Sequence, residues 1–437
     1  MKRPLPVVCQ LFGQLLVGGL LALTCTVGRA QEAKRILTLA DARRLAFERN
    51  WDLLAARSDV DIATAQKLVA QEFPNPTLSL STTKINVDAH PNQQPGANGL
   101  WDRSYDSTVA LNQLFEIGGK RANRLASAVA GIAGAKARFA DARRVLDLGV
   151  TKAYITTVVA GANLQILQQS AKSLRQEAQI AETRLKAGDI SVADKSQIEI
   201  AADRLELDAQ SMAANAKAAR IALEVLLGTE KPSGDWAPGD SLEALTGYPF
   251  PVSSDTPGAV RPDLLAAEAA HNKADADLRL ARAMRVPDPT LFVQYEHAPF
   301  DAPNTIGFGV SFPLPLWNRN TGNIKAAEAT KKQAGQQTEK IRAQITAEIA
   351  SARVAYDESS SRLQRYQTLI QPKSAKIRET VSFAYQKGGA SLLDLLSAQR
   401  NDNDVRLATA QAAADTAAAA ATFKSALNLT EEKKEKP

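Results

Sequence analysis

Two matching triplets carry the strongest claim to chemistry. Gly188, Ser191 and Asp194 stand at three-residue steps, and Gly388, Ser391 and Asp394 repeat them further along. The glycines fit tight turns that need a positive φ. Aspartates just beyond such turns fit helix starts, where the positive end of the helix dipole favours a carboxylate. Arg184, Lys186 and Lys387 precede the turns, where helix-end cations are favoured for the converse reason. Asp189 and Gly389 complete the two turns. No reaction centre accompanies them. His90, His271 and His297 are the only histidines, and no pair has metal-ligand spacing. Gly96-Ala97-Asn98-Gly99 and Gly307-Phe308-Gly309 are followed by neither a helix nor Lys-Ser/Thr, so neither is a phosphate loop. No nucleophile elbow occurs. The expectation is a chain with no catalytic residues, no cofactor and no metal site.

Composition narrows the class. The chain has 437 residues, 45% hydrophobic, 23% charged and only 5% aromatic. A polytopic helical membrane protein needs about 20 apolar residues per span, and a disordered chain would be more polar than this one. Residues 1–30 read as a secretory signal. Lys2 and Arg3 precede an apolar run over 11–23, and Gly28-Arg29-Ala30 suits cleavage before Gln31. The alternative is lipidation at Cys25. Cys9 and Cys25 are the only cysteines, so cleavage after Ala30 leaves an exported protein without disulfides. The net charge of +6 includes Lys2, Arg3 and Arg29. Charges of both signs alternate along the rest, which gives no case for a nucleic-acid partner.

The elements that must position the triplets form a repeat. Phe73-Pro74-Asn75-Pro76-Thr77-Leu78 returns as Val286-Pro287-Asp288-Pro289-Thr290-Leu291. Asn50-Trp51-Asp52-Leu53-Leu54 parallels Arg261-Pro262-Asp263-Leu264-Leu265. The triplets follow in the same order. The expected halves are 31–228 and 260–428, with a Pro/Gly/Ser-rich connector over 229–259 and a charged tail over 429–437. Each half runs helix, strand, loop, strand, very long helix, turn, helix.

The expected first helix spans 38–72 and ends before Pro74. The stretch 119–186 contains no proline, and at about 1.5 Å per residue it makes roughly 100 Å of helix. Leu164, Leu167, Ala171, Leu174, Ala178, Ala181 and Leu185 step by alternating threes and fours, which is a heptad seam. The second long helix, 322–387, must kink at Pro372. The return helices, 191–227 and 391–427, are half as long. Two shorter helices stacked end to end would match one long helix.

Between the helices lie strands of period two. Leu78 and Leu80 share one face, as do Val109 and Leu111, then Leu291, Val293 and Tyr295, then Ile306, Phe308 and Val310. Trp101, Tyr295 and Trp317 flank strands and fit either an interfacial aromatic belt or local packing. Transmembrane barrels need about eight strands or more, so four per chain require several copies to close.

The chain resembles the TolC-type outer-membrane efflux factors over about residues 38–428. The likeness rests on the duplicated halves, the two Pro-x-Pro strand entries and the Gly-x-x-Ser-x-x-Asp turns. Residues 113–121, Gln-Leu-Phe-Glu-Ile-Gly-Gly-Lys-Arg, and 313–324, Pro-Leu-Pro-Leu-Trp-Asn-Arg-Asn-Thr-Gly-Asn-Ile, resemble the cobalt–zinc–cadmium resistance branch. Asn50-Trp51 departs from the family's usual Asn-Pro. The resemblance implies a mainly α homotrimer with a 12-stranded β-barrel and a long periplasmic α-helical barrel of coiled-coil helices. It implies outer-membrane lipid around the barrel, a periplasmic adaptor and an inner-membrane resistance–nodulation–division pump. Arg184, Lys186, Gly188, Asp189, Ser191, Lys387, Gly388, Gly389 and Ser391 would then form adaptor-docking tips, or be plain helix-end residues. Asp394 and Asp194, each present three times around one axis, would form acidic gating rings, or be dipole-stabilised helix starts. The implied function is an exit duct for heavy-metal cations. The alternatives are a duct for drugs or secreted proteins and, further off, a coiled-coil adhesin.

Overall fold

A computed structural model describes residues 35–85, 105–246, 260–298 and 303–429. The signal segment, Cys9, Cys25, His90 and Trp101 lie outside the described residues. The first half comprises β1 (Arg35–Leu37), α1 (Leu39–Arg49), α2 (Trp51–Gln71), β2 (Thr77–Thr83), β3 (Asp106–Leu114), α3 (Lys120–Lys186) and α4 (Val192–Leu226). A short belt follows, with β4 (Trp236–Pro238) and α5 (Leu242–Thr246). The second half has α6 (Pro262–Ala283), β5 (Thr290–His297), β6 (Thr305–Ser311), α7 (Thr321–Arg365), a π-turn (Tyr366–Ile370), α8 (Gln371–Gln386) and α9 (Leu392–Ala426).

The heptad seam on α3 is a packed seam. Leu167, Ala171, Leu174, Ala178 and Ala181 are buried, and Leu164 and Leu185 flank them half-buried. Small residues alternating with leucine let the helices approach closely. The 67-residue helix is matched by two shorter ones, α2 along one part and α4 along another. Their joint is a hydrogen bond, since the Asn50 side-chain amide donates to the Leu226 carbonyl at the end of α4 (2.9 Å). Asn50 also corrects the expected single helix over 38–72. Its backbone is extended (ψ 126°), which ends α1, and its side-chain oxygen accepts from Leu53 N (3.0 Å) to cap α2. Asparagine competes with the helix for backbone hydrogen bonds and so favours this role. The second half has its own joint, where Asn428 after α9 donates to the Val260 carbonyl before α6 (3.1 Å).

The kink expected at Pro372 takes the form of the π-turn. Proline has no N–H to offer the preceding turn, and the Gln371 N–H instead reaches back five residues to the Tyr366 carbonyl. Below it, α8 and α9 are tied at a buried carboxylate. Asp402, on α9, pairs with Arg378 and Arg406 (2.9 Å each) and accepts from the Ser374 hydroxyl.

One antiparallel sheet of order β2-β3-β5-β6 joins the two halves at the β3–β5 pairing. Lys120, at the first turn of α3, crosses to the other half. Its ammonium reaches the Val286 carbonyl (2.6 Å) and Asp288 (2.7 Å), the acid of the second Pro-x-Pro entry. Asp288 accepts from Ile117 N as well (2.9 Å). Arg121 and Arg124 close the end of α2 by donating to the carbonyls of Gln71, Ala70 and Glu72. The Gly-Gly-Lys-Arg run is therefore a clasp between sheet and helices. The Asp288→Ala variant strands an ammonium whose side chain is only 8% exposed, which costs about 3 kcal/mol. Removing the 60%-exposed Asp203 from its pair with Arg175 costs under about 1 kcal/mol. Thermal unfolding of the extracted protein, followed by circular dichroism, checks this contrast.

Candidate functional site

The four strands make a wall with two different faces. The register places Leu78, Leu111, Val293 and Phe308 in one row and Leu80, Val109, Tyr295 and Ile306 in the next. All eight lie on the same face, and apart from half-buried Tyr295 they are exposed in the single chain. The opposite face carries Thr77, Asn112, Phe292 and Gly309, then Ser79, Ala110, Gln294 and Gly307, then Ser81, Thr108, Glu296 and Thr305. Phe292 is the only large apolar side chain in these rows. The sheet ends at β2 on one side and β6 on the other, and neither outer edge has a strand partner among the described residues.

At the far end of the long helices sit the two glycine turns. Gly188 (φ +84°) and Gly388 (φ +78°) adopt the left-handed conformation in which a side chain would be strained. Each is followed by a reciprocal cap. Ser191 accepts from Asp194 N, and Asp194 accepts from the Ser191 N–H and hydroxyl (3.2 and 2.8 Å). Ser391 and Asp394 repeat it (3.1 and 2.6 Å). Both aspartates therefore use Oδ2 at a helix start, and Oδ1 has no hydrogen-bond partner in the single chain among the described residues. The Ser391 hydroxyl and N–H hold the Asp394 carboxyl below the usual aspartate range.

The turns lie side by side. Ala181, Ile198, Tyr385, Leu392 and Leu395 share one apolar cluster. Arg184 donates to the Tyr385 carbonyl (3.1 Å) and lies over its ring (5.2 Å). Lys387 lies over Phe383 (5.7 Å), and Lys186 pairs with Glu182 (3.2 Å). Arg184 thus binds across the hairpins, whereas Lys186 and Lys387 stay on their own helices. Glu177, absent from the sequence reading, receives Ser382 (3.0 Å) and Gln386 (3.3 Å) from the opposite hairpin. A lone glutamate on a long helix gives no sign of this until its partner is known.

Three flanking residues are placed as well. His297 ends β5 with 9% exposure and faces Asn304. The strand is longer than its alternation showed. Tyr295 also reaches Asn304 through its hydroxyl. Trp317 stands 93% exposed beyond β6.

The described residues hold no group of three or more His, Cys, Asp or Glu able to bind a metal ion. Residues 42–229 and 259–429 match the model of the family described as Outer membrane efflux protein. The chain belongs to this family. The cobalt-zinc-cadmium resistance protein CzcC of Cupriavidus metallidurans is 26% identical over 370 residues, covering 85% of each chain. A crystal structure of a membrane protein from Pseudomonas aeruginosa superposes with a TM-score of 0.73 at 22% identity, over 89% of this chain and 90% of that one. The open-state outer membrane channel MtrE of Neisseria gonorrhoeae gives 0.71 at 22% identity, over 89% and 88%. Both likenesses show the fold. The family places this chain in the outer membrane.

The cap at Asp394 has a defined pH signature. A carboxyl held below its unfolded value contributes stability above the ordinary aspartate range and loses it as pH falls through the lowered value. Hydrogen exchange in the first turn of α9, corrected for intrinsic rates, is expected to stay flat from about pH 5 to 8 and rise only in strong acid. Ser391→Ala speeds it at every pH.

Proposed function

We propose that three copies close the sheet into a 12-stranded barrel and that the helices form a periplasmic tunnel beneath it. The chain is then a passive outer-membrane exit duct, not an enzyme, conducting heavy-metal cations delivered by an inner-membrane resistance–nodulation–division pump through a periplasmic adaptor. The observation that carries this reading is the wall with an apolar face, a polar face and two open edges. Hydrocarbon cannot satisfy free strand edges, and strands at an edge recruit others. A second observation supports closure by copies of the same chain. Trp51, Leu54, Ile62 and Val69 form an exposed stripe on α2, and α2 leads directly into the edge strand β2. A copy that pairs with β2 covers this stripe as well.

The glycine turns are the docking tips in this reading, with Gly188, Asp189, Gly388 and Gly389 at their apices. Asp194 and Asp394 keep Oδ1 for a cation or for a basic group of the next copy, which is what a ring of carboxylates at a gate requires. Residues 1–30 are removed on export. The metal cargo rests on the likeness to CzcC.

Two experiments bear on the duct. Phe308→Lys sets a charge on the lipid face, at about 2–4 kcal/mol per chain near mid-membrane, and is expected to deplete the protein from the outer-membrane fraction. Ser79→Lys, on the polar face, leaves its level unchanged. A deletion strain is expected to lose tolerance to zinc, cobalt or cadmium and recover it with the gene. Drug sensitivity with normal metal tolerance would move the cargo to the multidrug class.

A further inference from the structure

Both polar-face positions of β6 at mid-strand are glycine, and both are covered. Phe292 on β5 lies across Gly309 on β6. A Cβ at 309 would sit 2.5 Å from Phe292 Cζ and 2.8 Å from Cε1. Gln294 lies across Gly307 in the next row, where a Cβ would meet its Cγ at 3.1 Å. The two glycines are half-buried in a strand whose other residues are exposed. An aromatic ring laid over a cross-strand glycine is a known device for sealing the gap a missing side chain leaves. Here it also removes the ring from the space in front of the wall. On the other side of Phe292 the row is taken by Asn112, whose amide is tied to Thr77 O (3.2 Å) and Ser79 Oγ (3.0 Å).

We propose that Phe292 sets the width of the barrel lumen, and that Gly309 keeps the lumen wide by letting the ring lie flat. The proposal rests on the reading that the polar face lines a pore. In the closed barrel β6 is a seam strand, so the three rings lie at the three seams. A methyl group at 309 lifts the ring off β6. With the β3 side occupied, the ring turns into the lumen, and three of them narrow it together.

The test uses a thiol one row nearer the periplasm on the same face, Thr290→Cys. Intact cells are treated from outside with a short and a long polymer-linked maleimide, and the unsubstituted parent serves as the blank. The ratio of long to short labelling reads the passage past Phe292 and does not depend on the periplasmic tips. Adding Gly309→Ala is expected to lower the ratio several-fold, and adding Phe292→Ala as well is expected to restore it. An unchanged ratio with Gly309→Ala overturns the proposal. If that variant does not assemble, Phe292→Trp decides: its larger ring system overfills the gap above Gly309, so a lowered ratio supports the proposal and an unchanged one overturns it. If neither reagent reaches the Thr290→Cys thiol, the polar face is not a lumen, and the pore reading falls together with the proposal.

Discussion

A strand edge inside hydrocarbon has nowhere to place its N–H and C=O groups, and each unsatisfied group costs several kcal/mol. This constraint governs how the chain is built. Its sheet is apolar on one face and polar on the other, with an open edge at β2 and another at β6 among the described residues. In the proposed barrel the edges of neighbouring copies meet and satisfy one another. Everything below the sheet holds that wall in register. The clasp from Lys120 to Asp288 joins the helices of one half to the strand entry of the other. The two asparagine joints, Asn50 to Leu226 and Asn428 to Val260, keep paired short helices aligned with the long ones.

The same economy appears at the distant end. Two glycine turns and two reciprocal Ser–Asp caps start α4 and α9 side by side. The aspartates serve as helix caps, and the proposed gate adds a second use for their remaining oxygens. Arg184 and Glu177 tie the two hairpins together. Any motion that parts the hairpins must break these contacts and open the apolar cluster around Tyr385.

Much of the fold was legible because it obeys simple periods. The seam from Leu164 to Leu185, the alternation of Ile306, Phe308 and Val310, and the two Pro-x-Pro entries each follow from spacing alone. The break at Asn50 was not, since asparagine favours a cap without excluding a helix interior, and the Leu226 carbonyl that decides lies far away in sequence. Pro372 announced a kink, but not that a π-turn would absorb it. The cap positions of Asp194 and Asp394 agree with the helix-start reading made from their spacing. The clasp at Lys120, the Glu177 contacts and the ring of Phe292 over Gly309 all join residues far apart in sequence. No local pattern encodes such pairs: the alternation around Phe308 marks a strand, but not that Gly309 seats the Phe292 ring.

The central claim is that open edges of identical chains complete one another. Native mass spectrometry of the protein extracted gently from outer membranes tests it most directly. The account predicts a single species of three chain masses that persists at dilution. A monomer, or an assembly of any other number as the sole species, would contradict it.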